Sequence, residues 1–201
     1  MINLYTSFYQ DKDEVRQSEL LYCLNQNIAN PLIDRIYLMI EGEVELPESD
    51  KIIEVNFKRP TYRDFFELVN NTIESKDDVS IVCNTDIYFN HTLSLLDFHD
   101  RQCVALSRWD HKKDGLKLHN ERYSQDTWIF KGKIRNVRFA DFYMGIPGCD
   151  NRIAYELNRC GYRLLNPATK IQSIHYHQSD LHNYTQETKK IPKPYLYINI
   201  I

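Results

Sequence analysis

Two unbroken apolar runs constrain this chain more than any other feature. Arg35-Ile36-Tyr37-Leu38-Met39-Ile40 and Val79-Ser80-Ile81-Val82-Cys83 do not alternate polar with apolar residues. A strand with one solvated face would alternate. Each run therefore reads as a strand covered on both faces, and covering both faces of a sheet takes helices above and below it. The neighbouring segments supply them. Ile2 to Phe8 reads as an opening strand. Asp11-x-x-Glu14 resembles a capping box, and Val15, Leu20, Leu21, Leu24 and Ile28 follow at helical spacing until Pro31 ends the helix. After a loop over 42–50, Lys51 to Val55 is a short strand. Thr61 then caps a second helix with Asp64 at the box position, and Phe65, Leu68, Val69 and Ile73 form its apolar stripe. The first ~100 residues read β-α-β-β-α-β, which predicts an α/β fold with a central, mostly parallel sheet flanked by helices.

The second half is less regular. Gln102 to Ser107 and Thr127 to Phe130 read as strands, Asn151 to Cys160 as a helix closed by Gly161, and Lys170 to His177 as a last strand. The tail from Tyr184 to Ile201 carries Pro192 and Pro194 and no helical stripe. With 201 residues and no linker or repeat, the chain is expected to form one domain without a disulfide or metal staple. Five cysteines, an odd number with no C-x-x-C pair, read as reduced core thiols of a cytoplasmic protein. A net charge of −3 gives no global field for nucleic acid. No apolar run approaches the ~20 residues of a membrane span, and the N-terminus lacks the pattern of a signal peptide.

Five segments carry residue types suited to chemistry. In open α/β sheets ligands bind beyond the carboxyl ends of the strands, and the strand ending at Cys83 delivers Asn84-Thr85-Asp86 to that edge. A carboxylate there can bind a hard divalent cation that bridges a diphosphate; it can equally cap the next turn. His175-Tyr176-His177 places two imidazoles on one side of a strand, where they are surface residues or metal ligands. Asp150 reads as a helix N-cap or as a general base for an acceptor hydroxyl. Arg59-Pro60-Thr61-Tyr62-Arg63 opens a helix, so Arg59 suits a phosphate and Tyr62 a base. Ser124-Gln125-Asp126-Thr127-Trp128 offers hydroxyl-binding side chains and an indole, which serves a sugar or the core. Arg108-Trp109-Asp110 is similarly ambiguous.

In this order these segments, with the opening Tyr5-Thr6-Ser7 and with Arg59 to Phe66, Asn84 to Phe89, Ser124 to Trp128, Gly148 to Asn151 and His175 to Ser179, resemble GT-A glycosyltransferases, the nucleotide-diphospho-sugar transferase fold. The likeness is to those of bacterial capsule and lipopolysaccharide clusters, and to the N-terminal glycosyltransferase domain of a chlorella-virus multidomain protein. It spans nearly the whole chain. It implies a single domain over 1–201, excised from a longer protein or complete, with a nucleotide-binding half (1–100) and an acceptor-binding half (101–201). Asn84-Thr85-Asp86 corresponds to the D-x-D element, departing from it at Asn84. Asp86 with His175 or His177 would hold Mn2+ or Mg2+. Tyr5, Thr6, Arg59, Tyr62, Asn84 and Thr85 would border a nucleotide-sugar donor, a UDP-sugar. Asp150, with Asp126, would be catalytic toward a glycan hydroxyl acceptor. Replacing Asp86 by Ala is expected to abolish donor binding and leave the fold intact.

Three rivals predict different behaviour. A sugar-nucleotide pyrophosphorylase would open with a Gly-rich loop, and the chain has only 6 Gly. A metal-dependent hydrolase built on His175 and His177 would hold zinc tightly. A non-catalytic sugar-binding module would release no nucleoside diphosphate.

Overall fold

A computed structural model describes residues 1–178 and 189–201. The chain runs β1 (Ile2–Tyr9), α1 (Glu14–Ala29), β2 (Arg35–Glu41), β3 (Ile52–Phe57), α2 (Tyr62–Thr72) and β4 (Val79–Cys83). The second half adds β5 (Ile87–Phe89), a short 3-10 helix over His91–Leu95, β6 (Gln102–Leu106), β7 (Arg108–Lys112) and β8 (Gly115–Leu118). It continues with β9 (Thr127–Lys131), α3 (Cys149–Arg159), β10 (Arg163–Leu165) and β11 (Ser173–His175).

Seven strands form the central sheet in the order β10-β6-β9-β4-β1-β2-β3. All its strands run parallel except β9, which is antiparallel to both β4 and β6. The chain steps outward from β1 to β2 to β3, then returns through α2 to place β4 on the other side of β1. Strand order therefore reverses between β1 and β4, and the carboxyl ends of these two strands splay their loops apart into a crevice. A second sheet, β5-β11-β7-β8, closes one side of it. β6 and β7 are separated by Ser107 alone, a buried residue whose backbone N–H bonds Asn166 and whose hydroxyl donates to the carbonyls of Glu121 and Ser124. The chain changes sheets at that point.

Both faces of the central sheet are covered, as the apolar runs require. Leu4, Ile36, Leu38, Ile81 and Ile129 pack on one face with Leu20 and Leu24 of α1. Tyr5, Tyr37, Met39, Val82, Trp128 and Phe130 pack on the other with Phe65 and Val69 of α2 and Ile153 and Leu157 of α3. Four of the five cysteines are buried and all are free thiols. Among the described residues no helix is long and apolar enough to cross a membrane.

Several local expectations change. The N-cap of α1 is Asp13, whose side chain accepts from the Arg16 amide; Asp11 sits outside the helix and donates its amide to Gln17. The box at Thr61 and Asp64 forms as expected. α3 begins at Cys149, two residues earlier than the sequence suggests, and its N-cap is Gly148 at φ +84°. Asp150 therefore lies in the first turn and is not the cap. A side chain at Gly148 would be strained at that φ, and its Cβ would meet the Tyr195 hydroxyl at 2.7 Å. β11 stops at His175, so His177 lies just beyond the strand. Residues 189–201 of the tail cross the second half, bonding backbone to backbone at Ile191–Pro147, Leu196–Asn151 and Ile198–Arg122.

Candidate active site

The crevice at the strand-order reversal is a cleft of about 530 Å³. Ser7 and Tyr9 at the end of β1 line it, with Glu41 at the end of β2 and Arg59 after β3. The turn after β4 contributes Asn84, Thr85 and Asp86, and the first turn of α3 contributes Asp150. The last residues of three successive parallel strands and the first turn of a helix thus face one volume.

Asp86 is the centre of one end. Its Oδ2 lies 3.2 Å from His175 Nε2 and 3.8 Å from His177 Nδ1. It also accepts from Arg16 Nη2 at 2.6 Å, and the backbone carbonyl of Asp86 accepts the Tyr176 amide. Burial opposes ionisation of this carboxyl, but His175, His177 and Arg16 outweigh it and hold it well below the usual carboxylate range. Burial likewise opposes charge on His175, yet Asp86 and Asp110 push its imidazole up to about 9. The group fits a cation. One potential ligand atom each from Asp86, His175 and His177 lies within 4.8 Å of the others. Ligands on one ion lie at most ~4.4 Å apart, twice a bond length, so a shift of a few tenths of an ångström closes the set. Asp110 completes it from behind. Its Oδ1 sits 3.3 Å from His175 Nδ1 and accepts from Arg108 Nε at 2.9 Å. A carboxylate on Nδ1 fixes the tautomer that leaves Nε2 with a lone pair for a metal.

The other end is organised by Asp126. It accepts from Asn84 Nδ2 at 2.8 Å and from Arg108 Nη1 at 3.3 Å. Asp150 is half-buried, and its oxygen Oδ1 accepts from the Cys149 thiol. Burial first, then the charge of Asp126, pushes Asp150 up to about 7. A carboxyl poised near neutrality on a cleft wall can accept a proton there.

The mannosyltransferase of Pyrobaculum calidifontis, solved in complex with GDP-Man and Mn2+, superposes on this architecture with a TM-score of 0.51 at 9% identity. The fold is GT-A-like. The match covers 88% of this chain and 56% of that enzyme, so the chain spans little more than half of its length. Two further solved structures match at lower similarity. The 2-C-methyl-D-erythritol 4-phosphate cytidylyltransferase of Francisella tularensis has a TM-score of 0.40 at 16% identity, over 64% of this chain and 72% of its own. The 4-diphosphocytidyl-2C-methyl-D-erythritol synthase of Anaerococcus prevotii has 0.46 at 10%, over 92% and 91%. No family model and no curated protein matches the sequence. The resemblance read from the segments is thus carried at the level of the GT-A-like fold.

Within it, the sequence-derived site residues divide. Asp86, His175, His177, Asn84, Thr85, Arg59, Asp126 and Asp150 all line the cleft. Three do not. Tyr5 is fully buried, stacked on Tyr37 at 4.7 Å with its hydroxyl on Thr72. Tyr62 is packed edge-on against Trp128 and Phe142. Thr6 is buried with its hydroxyl donating to the Cys83 carbonyl. These three serve the core: Tyr5 faces the α2 side of the sheet and Tyr62 packs from α2 itself, while Thr6 points to the other face and is sealed against the Cys83 carbonyl. Trp128 is a core residue too. Ser7 and Tyr9 hold the positions at the β1 end that the resemblance assigned to Tyr5 and Thr6. Asn84 does not face the imidazoles; its amide is committed to Asp126. Ser179 lies outside the described residues.

Sequence reasoning missed Arg16, Glu19 and Glu41. The signal was present in α1: Arg16 and Glu19 fall on the same helical face as Leu20 and Cys23, where solvated charges would not be placed.

Proposed function

We propose that this chain is a glycosyltransferase that takes a nucleotide-sugar donor, a UDP-sugar by the sequence resemblance, and transfers the sugar to a glycan hydroxyl. One observation carries the reading. At a strand-order reversal, an ionised carboxylate and two imidazoles converge on one side of a cleft, and a carboxyl of raised pKa stands on its wall. Residues 1–100 would serve the donor and 101–201 mainly the acceptor, with His175 and His177 returning to the donor side.

Asp86, His175 and His177 would hold Mn2+ or Mg2+; a divalent ion there supplies Lewis-acid neutralisation of the leaving diphosphate. This chain has one carboxylate in the ligand set, with Asn84 turned away, so the donor's phosphates would complete the coordination. Arg59 is exposed at the cleft edge, over the Tyr143 ring and donating Nη2 to the Met144 carbonyl at 3.3 Å, a bond it would exchange for a phosphate oxygen. Ser7 and Thr85 share a hydroxyl–hydroxyl bond of 3.2 Å on the cleft floor, at hand for ribose hydroxyls. Glu41 supports uracil or guanine as the base. A carboxylate accepts only, so it pairs with the ring N–H of those two bases and finds an acceptor at that position in adenine or cytosine.

On the acceptor side, Asp150 takes the hydroxyl proton as the new bond to the anomeric carbon forms and the nucleoside diphosphate departs, if the course inverts. In a retaining course it orients the hydroxyl. Asp126 sets the charge that Asp150 experiences.

The test is nucleoside-diphosphate release from a panel of nucleotide sugars with and without Mn2+. The reading requires Mn2+-dependent release, and it requires Asp150→Asn to cut transfer more than donor binding. Equal loss of both would assign Asp150 to structure, and sugar binding without release would make the chain a binding module.

A further inference from the structure

Arg16 and Glu19 are the least expected residues in the molecule. Both are charged, both are almost completely buried, at 6% and 2% exposure, and neither is needed to bury α1. Arg and Glu are almost never so buried unless paired. Here the pairing is a chain. Arg16 Nη1 donates to Glu19 Oε2 at 2.9 Å, one helical turn along, and Arg16 Nη2 donates to Asp86 Oδ2 at 2.6 Å. Glu19 uses its other oxygen, Oε1, to accept the backbone N–H of Gln178, the residue after His177. The two ends of this chain are therefore the turn after β4 and the segment after β11. Apart from this chain, the β5–β11 ladder that ends at the Ile87–His175 pair, the Tyr176 amide on the Asp86 carbonyl and the Asp86–imidazole contacts join those two regions.

Stability does not explain the arrangement. Desolvating three charges costs several kcal/mol per ion, and well-packed apolar residues of similar volume do as well or better. What apolar residues cannot do is fix the distance between two separate loops through directed bonds.

We infer that Arg16 and Glu19 are positioning residues: they clamp the Asp86 turn to the His177 segment so that the cation-binding set is assembled before a cation arrives. The inference rests on the proposed role of Asp86, His175 and His177 only for its purpose; the clamp itself is a property of the metal-free protein. Arg16 donates to Asp86 Oδ2, the same oxygen that His175 Nε2 and His177 Nδ1 approach, so the guanidinium fixes the carboxylate in register with both imidazoles. The Glu19 bond fixes the backbone immediately after His177, beyond the end of β11 at His175.

The experiment uses the Arg16→Met/Glu19→Leu double variant, which replaces the ion chain by apolar volume and leaves Asp86 with His175 as its counter-charge. Thermal unfolding establishes that it folds; Arg16→Lys/Glu19→Gln, which keeps a shortened polar bridge, is the second variant should the first not fold. Amide hydrogen exchange of the metal-free proteins is then followed at residues 84–89 and 173–178. The clamp predicts exchange at Gln178 faster by about tenfold or more, and Mn2+ affinity weaker by about tenfold or more, with an unfolding temperature at or above that of the parent. Unchanged exchange at both segments overturns the clamp. A parent protein that binds no Mn2+ overturns the proposed function instead, because the exchange readout is taken without metal.

Discussion

Replacing Asp86 by Ala should unfold this protein more readily as well as remove a ligand. Asp86 is buried, and its partner Arg16 is buried with it, their side chains 12% and 7% exposed. Removing one member of such a pair leaves an uncompensated charge, at a cost of about 3–5 kcal/mol. Glu19 remains within 2.9 Å of Arg16 and offsets part of that, which places the expected loss at the lower end, about 3 kcal/mol. Against a total stability of about 5–15 kcal/mol this is a large fraction. For a chain of this size it corresponds to a fall of about 6–12 °C in Tm, and with a urea m-value of about 2–3 kcal/mol/M to a midpoint lowered by about 1 M. Asp86→Asn keeps the shape and one acceptor oxygen, so it should lose about half as much. The assay is urea unfolding in EDTA, followed by far-UV circular dichroism, for the parent, both Asp86 variants, Arg16→Met and Arg16→Met/Asp86→Ala. The cycle should return a coupling of about 2 kcal/mol or more. A loss below about 0.5 kcal/mol with no coupling would mean that the ion pair is not formed in solution and would refute the reasoning. The practical consequence is that donor affinity should be compared through Asp86→Asn.

Asp110→Asn should weaken Mn2+ affinity by about 10–100-fold, measured by titration calorimetry, because it removes the negative charge that backs His175 Nδ1; unchanged affinity would show that this charge does not support His175. If Asp150 is the base, transfer should rise with pH through about 7, and Asp126→Asn, which removes the charge that raises Asp150, should move this limb to lower pH; a limb that stays in place assigns it to another group. The same group shapes stability: its folded pKa lies above its unfolded value, so the native state holds the extra proton and stability falls as pH rises from about 4 to 7. Asp150→Asn should therefore be more stable than the parent above pH 7, on the order of 2 kcal/mol by urea unfolding, and equal to it near pH 4. Gly148→Ala should cost about 1–3 kcal/mol, since the new Cβ meets the Tyr195 hydroxyl at 2.7 Å and the Ile191 carbonyl at 3.2 Å; hydrogen exchange should quicken across 189–198, where the tail is held against Pro147.

The first half of the fold was legible because its signals are local. Runs such as 35–40 and 79–83 are long enough, and apolar enough on both faces, to be strands in any context, and the Thr61–Asp64 box needs only its own four residues. Of the second sheet only β11 was legible, within the strand read over Lys170 to His177. Arg108-Trp109-Asp110-His111-Lys112 has four charged or titratable residues in five, and β5 and β11 have three residues each. Their strand state comes from pairing across distant segments, Ser173 with Arg108 and Ile174 with Tyr88, which no local pattern encodes. The site divides the same way. Asp86 at a strand end and the spaced histidines are visible as residue types in place. Arg16 lies 70 positions from Asp86, so its place on the apolar face of α1 marks it as buried but does not reveal its partner. Tyr62 was assigned to a base because aromatic side chains suit bases, and Tyr5 to the nucleotide by the resemblance of the first strand; both pack in the core between the sheet and α2.

What remains is why one cleft should contain carboxyls driven in opposite directions. Asp86 is held ionised by two imidazoles and a guanidinium, with its burial overcome. Asp150 has burial and the charge of Asp126 against it, and accepts a hydrogen bond from the Cys149 thiol. Arg108 lowers Asp150 less than burial and Asp126 raise it, because it bonds Asp110, behind His175, and Asp126, which neighbours Asp150. Its charge is thereby spent on the supports of the two ends and not bonded to Asp150 itself. A glycosyl transfer of the kind proposed needs a carboxylate that stays charged beside a cation and another that can take a proton near neutral pH. Two environments that push like groups apart are how one cleft provides both. A fully solvated pair would offer two similar acids with pKa values near 4.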